Sequence, residues 1–134
     1  MELQTWSNDN FTDNGEENTM IKVVHFIHGL NMGGAETLVK DYALLLDKSK
    51  FNVTVLCYTR CDSPYEAILR QNNIPVVYLC DEMPFYGKTG AIAKLVNRFQ
   101  RYWLVRRELQ QLNPDIVHFH LSLSDYVRFS GLKK

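Results

Sequence analysis

The sequence predicts an α/β fold: a Rossmann-like, doubly wound parallel sheet with flanking helices. Three observations carry the prediction. Strand-like apolar runs alternate with helix-periodic segments in the order β-α-β-α-β-α-β-α, the pattern of a sheet wound by right-handed crossovers. The first run, Ile21 to Ile27, is apolar on both faces apart from Lys22 and His25, as befits a strand covered from two sides. Two adjacent glycines, Gly33 and Gly34, then stand where that strand turns into the first helix.

The first helix is expected from about Gly34 to Asp47. Ala35, Leu38, Val39, Tyr42, Leu45 and Leu46 recur there at steps of three and four and form one apolar stripe. Phe51 to Tyr58 reads as the second strand. Pro64 opens a short helix reaching about Gln71, with Ser63 as its N-cap. Asn72-Asn73 breaks the chain, and Ile74 to Leu79 forms the third strand with Pro75 confined to its start. After a loop over Asp81 to Thr89, a long helix runs from about Gly90 to Leu112. Ile92, Leu95, Val96, Phe99, Tyr102 and Trp103 are expected to supply its core face. Asn113-Pro114 ends that helix, Asp115 to Phe119 is the fourth strand, and a fourth helix is expected over Ser122 to Leu132.

Residues 1–19 are acidic and rich in Asn, and read as a disordered leader. They lack the basic start and apolar stretch of a secretory signal. Residues 20–134 then form one partial domain. A complete sheet of this type has five or more strands, so a fragment is expected. No stretch of roughly 18 apolar residues suggests a transmembrane helix. Fifteen basic residues balance 15 acidic ones, which speaks against a nucleic-acid binder. Cys57, Cys61 and Cys80 form no CxxC pair and read as reduced cysteines of a cytosolic protein.

Two features fall at the carboxyl ends of strands, where such sheets bind ligands. At the first, Gly33 and Gly34 let the backbone approach a ligand with no Cβ between, and the helix start behind them favours a phosphate-sized anion. Glu36, in the first helical turn, is given a local role. The glycines do not match the dinucleotide fingerprint, and no acid ends the second strand, so a dehydrogenase ranks last among the readings. At the second, His118 and His120 close the fourth strand. Residues two apart share a face, so His120 emerges at the rim and His118 lies one step deeper as a structural residue. A zinc site from these two needs further ligands, and none is evident in the sequence. His25 and His28 flank the end of the first strand, and His28 and Asn31 are candidates for lining the same cleft. Gly87-Lys88-Thr89 is not a phosphate loop, because Glu82 stands where that motif needs glycine. Lys94, Arg98 and Arg101 share one face of the long helix: a solvated face, or a patch for anionic lipid head groups with Tyr102 and Trp103 beside it.

Two segments together resemble a known family. The strand–turn–helix from Ile21 through Gly33-Gly34-Ala35-Glu36 to Val39 looks like the opening of the glycosyltransferase family 4 N-terminal domain. Leu112 to Tyr126, with Pro114-Asp115-Ile116-Val117-His118-Phe119-His120, looks like that domain's later histidine-bearing element. The resemblance implies half of a GT-B architecture: the acceptor-side domain of a retaining enzyme that moves a sugar from a nucleotide-diphospho-sugar to a glycan or lipid-linked acceptor, as in polysaccharide biosynthesis. It implies that Gly33 and Gly34 approach the donor diphosphate and that His120 is the catalytic residue near the transferred sugar; His28 and Asn31, read from their place at the strand end, are expected as further substrate contacts. No cofactor beyond that co-substrate and no metal is implied. The family's donor-binding domain, with its paired glutamates, is absent, so the chain is expected to be inactive alone. It is expected to sit in the cytoplasm, with a peripheral contact at the inner membrane face or a partner chain that supplies the donor domain. A non-catalytic Rossmann-like binding module, or one subunit of a split enzyme, is the rival reading.

Overall fold

The computed structural model describes residues 3–5 and 19–121. Five strands form one sheet: β1 (Leu3–Thr5), β2 (Ile21–Ile27), β3 (Phe51–Cys57), β4 (Val76–Tyr78) and β5 (Ile116–Phe119). Their spatial order is β1-β5-β2-β3-β4. The four strands expected from the sequence are all present and run parallel, with His25 opposite His118 and Val23 opposite Val53. The leader contributes β1, which pairs antiparallel with β5 at the sheet's edge. The fourth helix expected over Ser122 to Leu132 lies outside the described residues.

Alternation along the strands builds two cores. Odd-numbered residues of β2, including Val23 and Ile27, pack with Val53, Val55 and Cys57 under α1 (Gly34–Leu45) and α2 (Pro64–Gln71). Even-numbered Val24 and Phe26 pack with Leu56, Val117 and Phe119 against α3 (Ala91–Leu112). Helices therefore cover both faces, as the doubly wound reading requires. Ser63 caps α2, its Oγ accepting from the Glu66 amide at 3.4 Å, with Pro64 opening the helix. Asn73 and Asn113 break the chain with left-handed φ of 58° and 44°.

Two expected core faces need correction. In α1 the buried residues are Val39 and Ala43, whereas Leu38, Tyr42 and Leu45 are exposed. The apolar stripe is wider than the strip of helix that β2 and β3 can touch. In α3 the core contacts come from Leu104, Val105 and Leu109, near its C-terminus. Ile92, Leu95, Phe99 and Trp103 are exposed, Ile92 by 81%. Length explains this: 22 residues of helix span about 33 Å, and a strand of four residues spans only about 13 Å. The first half of α3 outruns the sheet and lies against the loop before it, where Asn97 Nδ2 donates to the Phe85 carbonyl at 2.9 Å.

Candidate functional site

Sheet topology decides where a ligand can sit. After β2 the chain winds outward to β3 and β4, then α3 carries it back across the other face to β5, on the far side of β2. The winding reverses between β2 and β5, and such reversals open a crevice at the strands' carboxyl ends. The turn after β2 and the residue after β5 both lie at that end. His120 is tied there by its backbone amide, which donates to the Phe26 carbonyl at 2.9 Å. The next residue, Leu121, holds a left-handed φ of 57°, an uncommon state for a branched side chain and one that concentrates at functional sites.

At the turn, three glycines serve different ends. A Cβ on Gly29 would stand 2.7 Å from Cys61 Sγ and 2.9 Å from Thr59 Cγ2, so packing against the β3 end demands glycine there. Gly33 caps α1 in an extended conformation, φ −110° and ψ 178°, which any residue adopts. A Cβ at Gly33 would meet only the Glu36 carboxylate, the far end of a flexible side chain, and one at Gly34 would meet nothing within 4 Å. Among the described residues, neither backbone strain nor packing explains this pair. The first paired amide at this helix start is Thr37 N–H, donating to the Gly33 carbonyl at 3.0 Å, and the Thr37 hydroxyl donates to the same oxygen at 2.8 Å. The amides of Gly34, Ala35 and Glu36 precede it and make no backbone bond to the described residues, as the start of any helix leaves them. The Glu36 carboxylate folds back beside Gly33 and supplies local negative charge at the positive end of the dipole.

The histidines gather on the α1 side of the sheet. His25, His118 and His120 are all buried, at 3%, 9% and 3% exposure. Parallel pairing of β2 with β5 sets His25 beside His118, and the strand period of two brings His120 to the same face. His25 Nδ1 lies 3.2 Å from His120 Nε2, and the His118 and His120 ring centres are 4.2 Å apart. Tyr42 of α1 lies over His25, its ring nearly parallel, with ring centres 6.1 Å apart. Burial pushes the His25 pKa down to about 3, helped by His120 and His118. Burial and His118 bring His120 down to about 4, and burial lowers His118 as well. The imidazoles are therefore neutral at pH 7, able to accept or donate one hydrogen bond at each nitrogen.

The other expected site residues do not join this group. His28 is exposed and lies beside Tyr58, ring centres 5.1 Å apart; Tyr58 belongs to the core on the α3 side. Asn31 is exposed on the turn. Beyond Tyr58 opens a cleft of about 460 Å³ on the α3 side, lined by Tyr58, Tyr86, Lys88, Lys94, Arg98 and Arg101 among others. Three of those cations were singled out from helical spacing. Lys88 and Tyr86 join them because Gly87, at φ +77°, turns the loop back toward the helix.

Glu66 was not foreseen. It is fully buried, its Oε1 accepting from the Cys61 amide at 2.9 Å and its Oε2 facing Arg70 at 3.5 Å. Ser63 and Glu66 have the spacing of a capping box, the signal that could have revealed it. Here the carboxylate reaches past the cap to pin the strand-to-helix loop on which Gly29 packs. Burial and Glu66 push the Tyr78 phenol up.

A family model described as Glycosyltransferase Family 4 matches residues 32–133, a span that includes Gly33, Gly34 and all of β5. No curated protein and no solved structure matches the chain.

Proposed function

The chain belongs to glycosyltransferase family 4, and from that premise we propose that it forms the acceptor-side part of a retaining glycosyltransferase. In this reading a nucleotide-diphospho-sugar lies across the crevice between β2 and β5. The observation that carries it is the pair Gly33-Gly34: glycines that neither packing nor φ requires, in front of amides without a backbone acceptor. Sugar transfer leaves charge on a diphosphate, and fixed amides at a helix start stabilise such charge without reorganising. The Glu36 carboxylate swings aside when the diphosphate arrives. His120 presents a neutral imidazole toward the transferred sugar, held in place by His25. A second, donor-binding domain supplies the other wall of the crevice, on the same chain or a partner, and the isolated chain turns over no donor.

The acceptor side takes the cleft beyond Tyr58. Lys88, Lys94, Arg98 and Arg101 suit an anionic head group or a lipid-linked phosphate, and Tyr86 and Tyr58 give its sugar a stacking surface. Exposed Ile92, Leu95, Phe99 and Trp103 continue along the same helix, so a peripheral contact with the inner membrane face completes the reading. No described helix is long and apolar enough to cross a membrane.

Titration of isotope-labelled chain with inorganic pyrophosphate tests the first claim. Amide resonances of Gly34, Ala35 and Glu36 should shift, and Gly34→Ala should abolish the shift without lowering Tm. In a fusion that restores a donor-binding domain, Gly34→Ala and His120→Ala should each lower kcat at least tenfold. Full turnover in both variants would overturn the assignment. Binding to anionic vesicles, lost in Lys94→Glu/Arg98→Glu, tests the membrane contact.

A further inference from the structure

The histidine cluster presents more ligand chemistry than one sugar contact uses. His25, His118 and His120 each offer a ring nitrogen, and these atoms lie within 4.8 Å of one another. We propose that the three imidazoles form a binding site for one borderline transition-metal ion, of the class of Zn²⁺, Co²⁺ or Ni²⁺.

Three observations support it. First, the separation fits: His25 Nδ1 and His120 Nε2 are 3.2 Å apart, and two nitrogens on one tetrahedral zinc, each about 2.0–2.1 Å from it, stand roughly 3.3–3.4 Å apart. An ion takes the place of that hydrogen bond once both rings tilt so that their lone pairs converge on it. Second, two buried atoms are left over. Nε2 of His25 and Nε2 of His118 have no hydrogen-bond partner among the described residues, and an unsatisfied polar atom inside a protein costs free energy. A rotation of His118 that turns its free nitrogen onto a metal removes one of those costs. Third, the donor set selects the metal. Three imidazoles without a carboxylate suit zinc, cobalt, nickel or copper and disfavour magnesium or calcium, which demand oxygen. Three protein ligands leave a fourth position for water or another small donor.

The cluster could not be assembled from spacing alone. His118 and His120 are two apart on one strand, but the third ligand stands more than ninety positions earlier, and only the β2–β5 register brings it alongside. The site shares His25 and His120 with the proposed sugar contact, but no substrate enters its test, so metal binding and sugar transfer fail or stand by separate measurements.

The full chain, freed of metal by a chelator, is titrated with Co²⁺ while visible absorption is followed. One equivalent should produce the intense bands of four-coordinate cobalt, displaced by one equivalent of Zn²⁺, with a rise in Tm. His25→Gln and His118→Gln should each weaken binding at least tenfold, whereas Cys61→Ser/Cys80→Ser should leave it unchanged. Because a buried variant can fail to fold, X-ray absorption of the zinc-loaded wild-type chain gives a second reading, with three imidazoles and no sulfur around the metal. Substoichiometric binding, a sulfur neighbour, fewer than three imidazoles, or equal affinity in folded histidine variants would overturn the proposal.

Discussion

The two faces of the sheet are built from the same strands and carry different chemistry. Toward α3, β2 and β5 present Val24, Phe26, Val117 and Phe119, and the helix answers with Leu104, Val105 and Leu109. Toward α1, the alternate positions of the same strands hold His25, His118 and His120, and the adjoining helix buries Glu66. Both faces bury an apolar core; the α1 face also places polar groups inside, close to where the winding reverses. Residue parity along single strands therefore puts the imidazoles on one face only, where the surrounding apolar core keeps them neutral and out of water.

The division can be tested from its strongest consequence downward. Phe26 is 1% exposed and packs edge-to-face on Phe119. Phe26→Ala should cost about 3–5 kcal/mol, read as a lowered urea midpoint. A smaller loss would mean that Phe26 and Phe119 do not anchor the α3 core.

Acid should act on the opposite face. Above the ordinary imidazole value of 6.5, folded and unfolded histidines are both neutral and stability is complete. As pH falls below it, the unfolded chain takes up protons that His25 and His120 refuse until about 3 and 4. Stability of the metal-free chain should therefore drain away through that window, by about 2 kcal/mol for each of the two histidines at around pH 5. His25→Gln should flatten the slope in denaturation curves measured against pH.

The turn offers an internal contrast of about the same size. Gly29→Ala should cost about 1–3 kcal/mol, because its Cβ strikes Cys61 and Thr59. Gly34→Ala meets open space and should leave the urea midpoint unchanged within about 0.5 kcal/mol. Equal losses at both positions would return Gly34 to a packing role.

The smallest effect concerns strain. Leu121 is exposed and holds φ at 57°, so Leu121→Gly should stabilise the chain by about 1 kcal/mol, measured by thermal unfolding.

Much of this was legible in the sequence because it is local. Ser63 and Pro64 announce α2 by capping chemistry; Asn73 and Asn113 announce breaks by tolerating left-handed backbone. Strand β2 declares itself by being apolar on both sides. The helix faces misled for a physical reason. Periodicity shows which side of a helix is apolar, and the length and position of the neighbouring sheet decide which part of that side is covered. Leu38, Tyr42 and Leu45 of α1, and Ile92, Leu95, Phe99 and Trp103 of α3, fit the pattern and are nonetheless exposed. Strand β1 was missed because three residues carry too little periodicity to stand out within an acidic leader. Glu66 was missed because a glutamate in the first turn of a helix reads as a surface residue unless its partner amide, from Cys61, is known.

By itself the sequence determined the parallel α/β class, the order of its elements and the glycine turn. These follow from side-chain period and backbone preference within a few residues. Only the tertiary structure decided that β5 lies beside β2, that His25 therefore faces His118 and His120, and that His28 departs toward Tyr58. Strand adjacency is set by crossovers that bring together residues far apart in the chain, and no local preference encodes which distant strand becomes the neighbour.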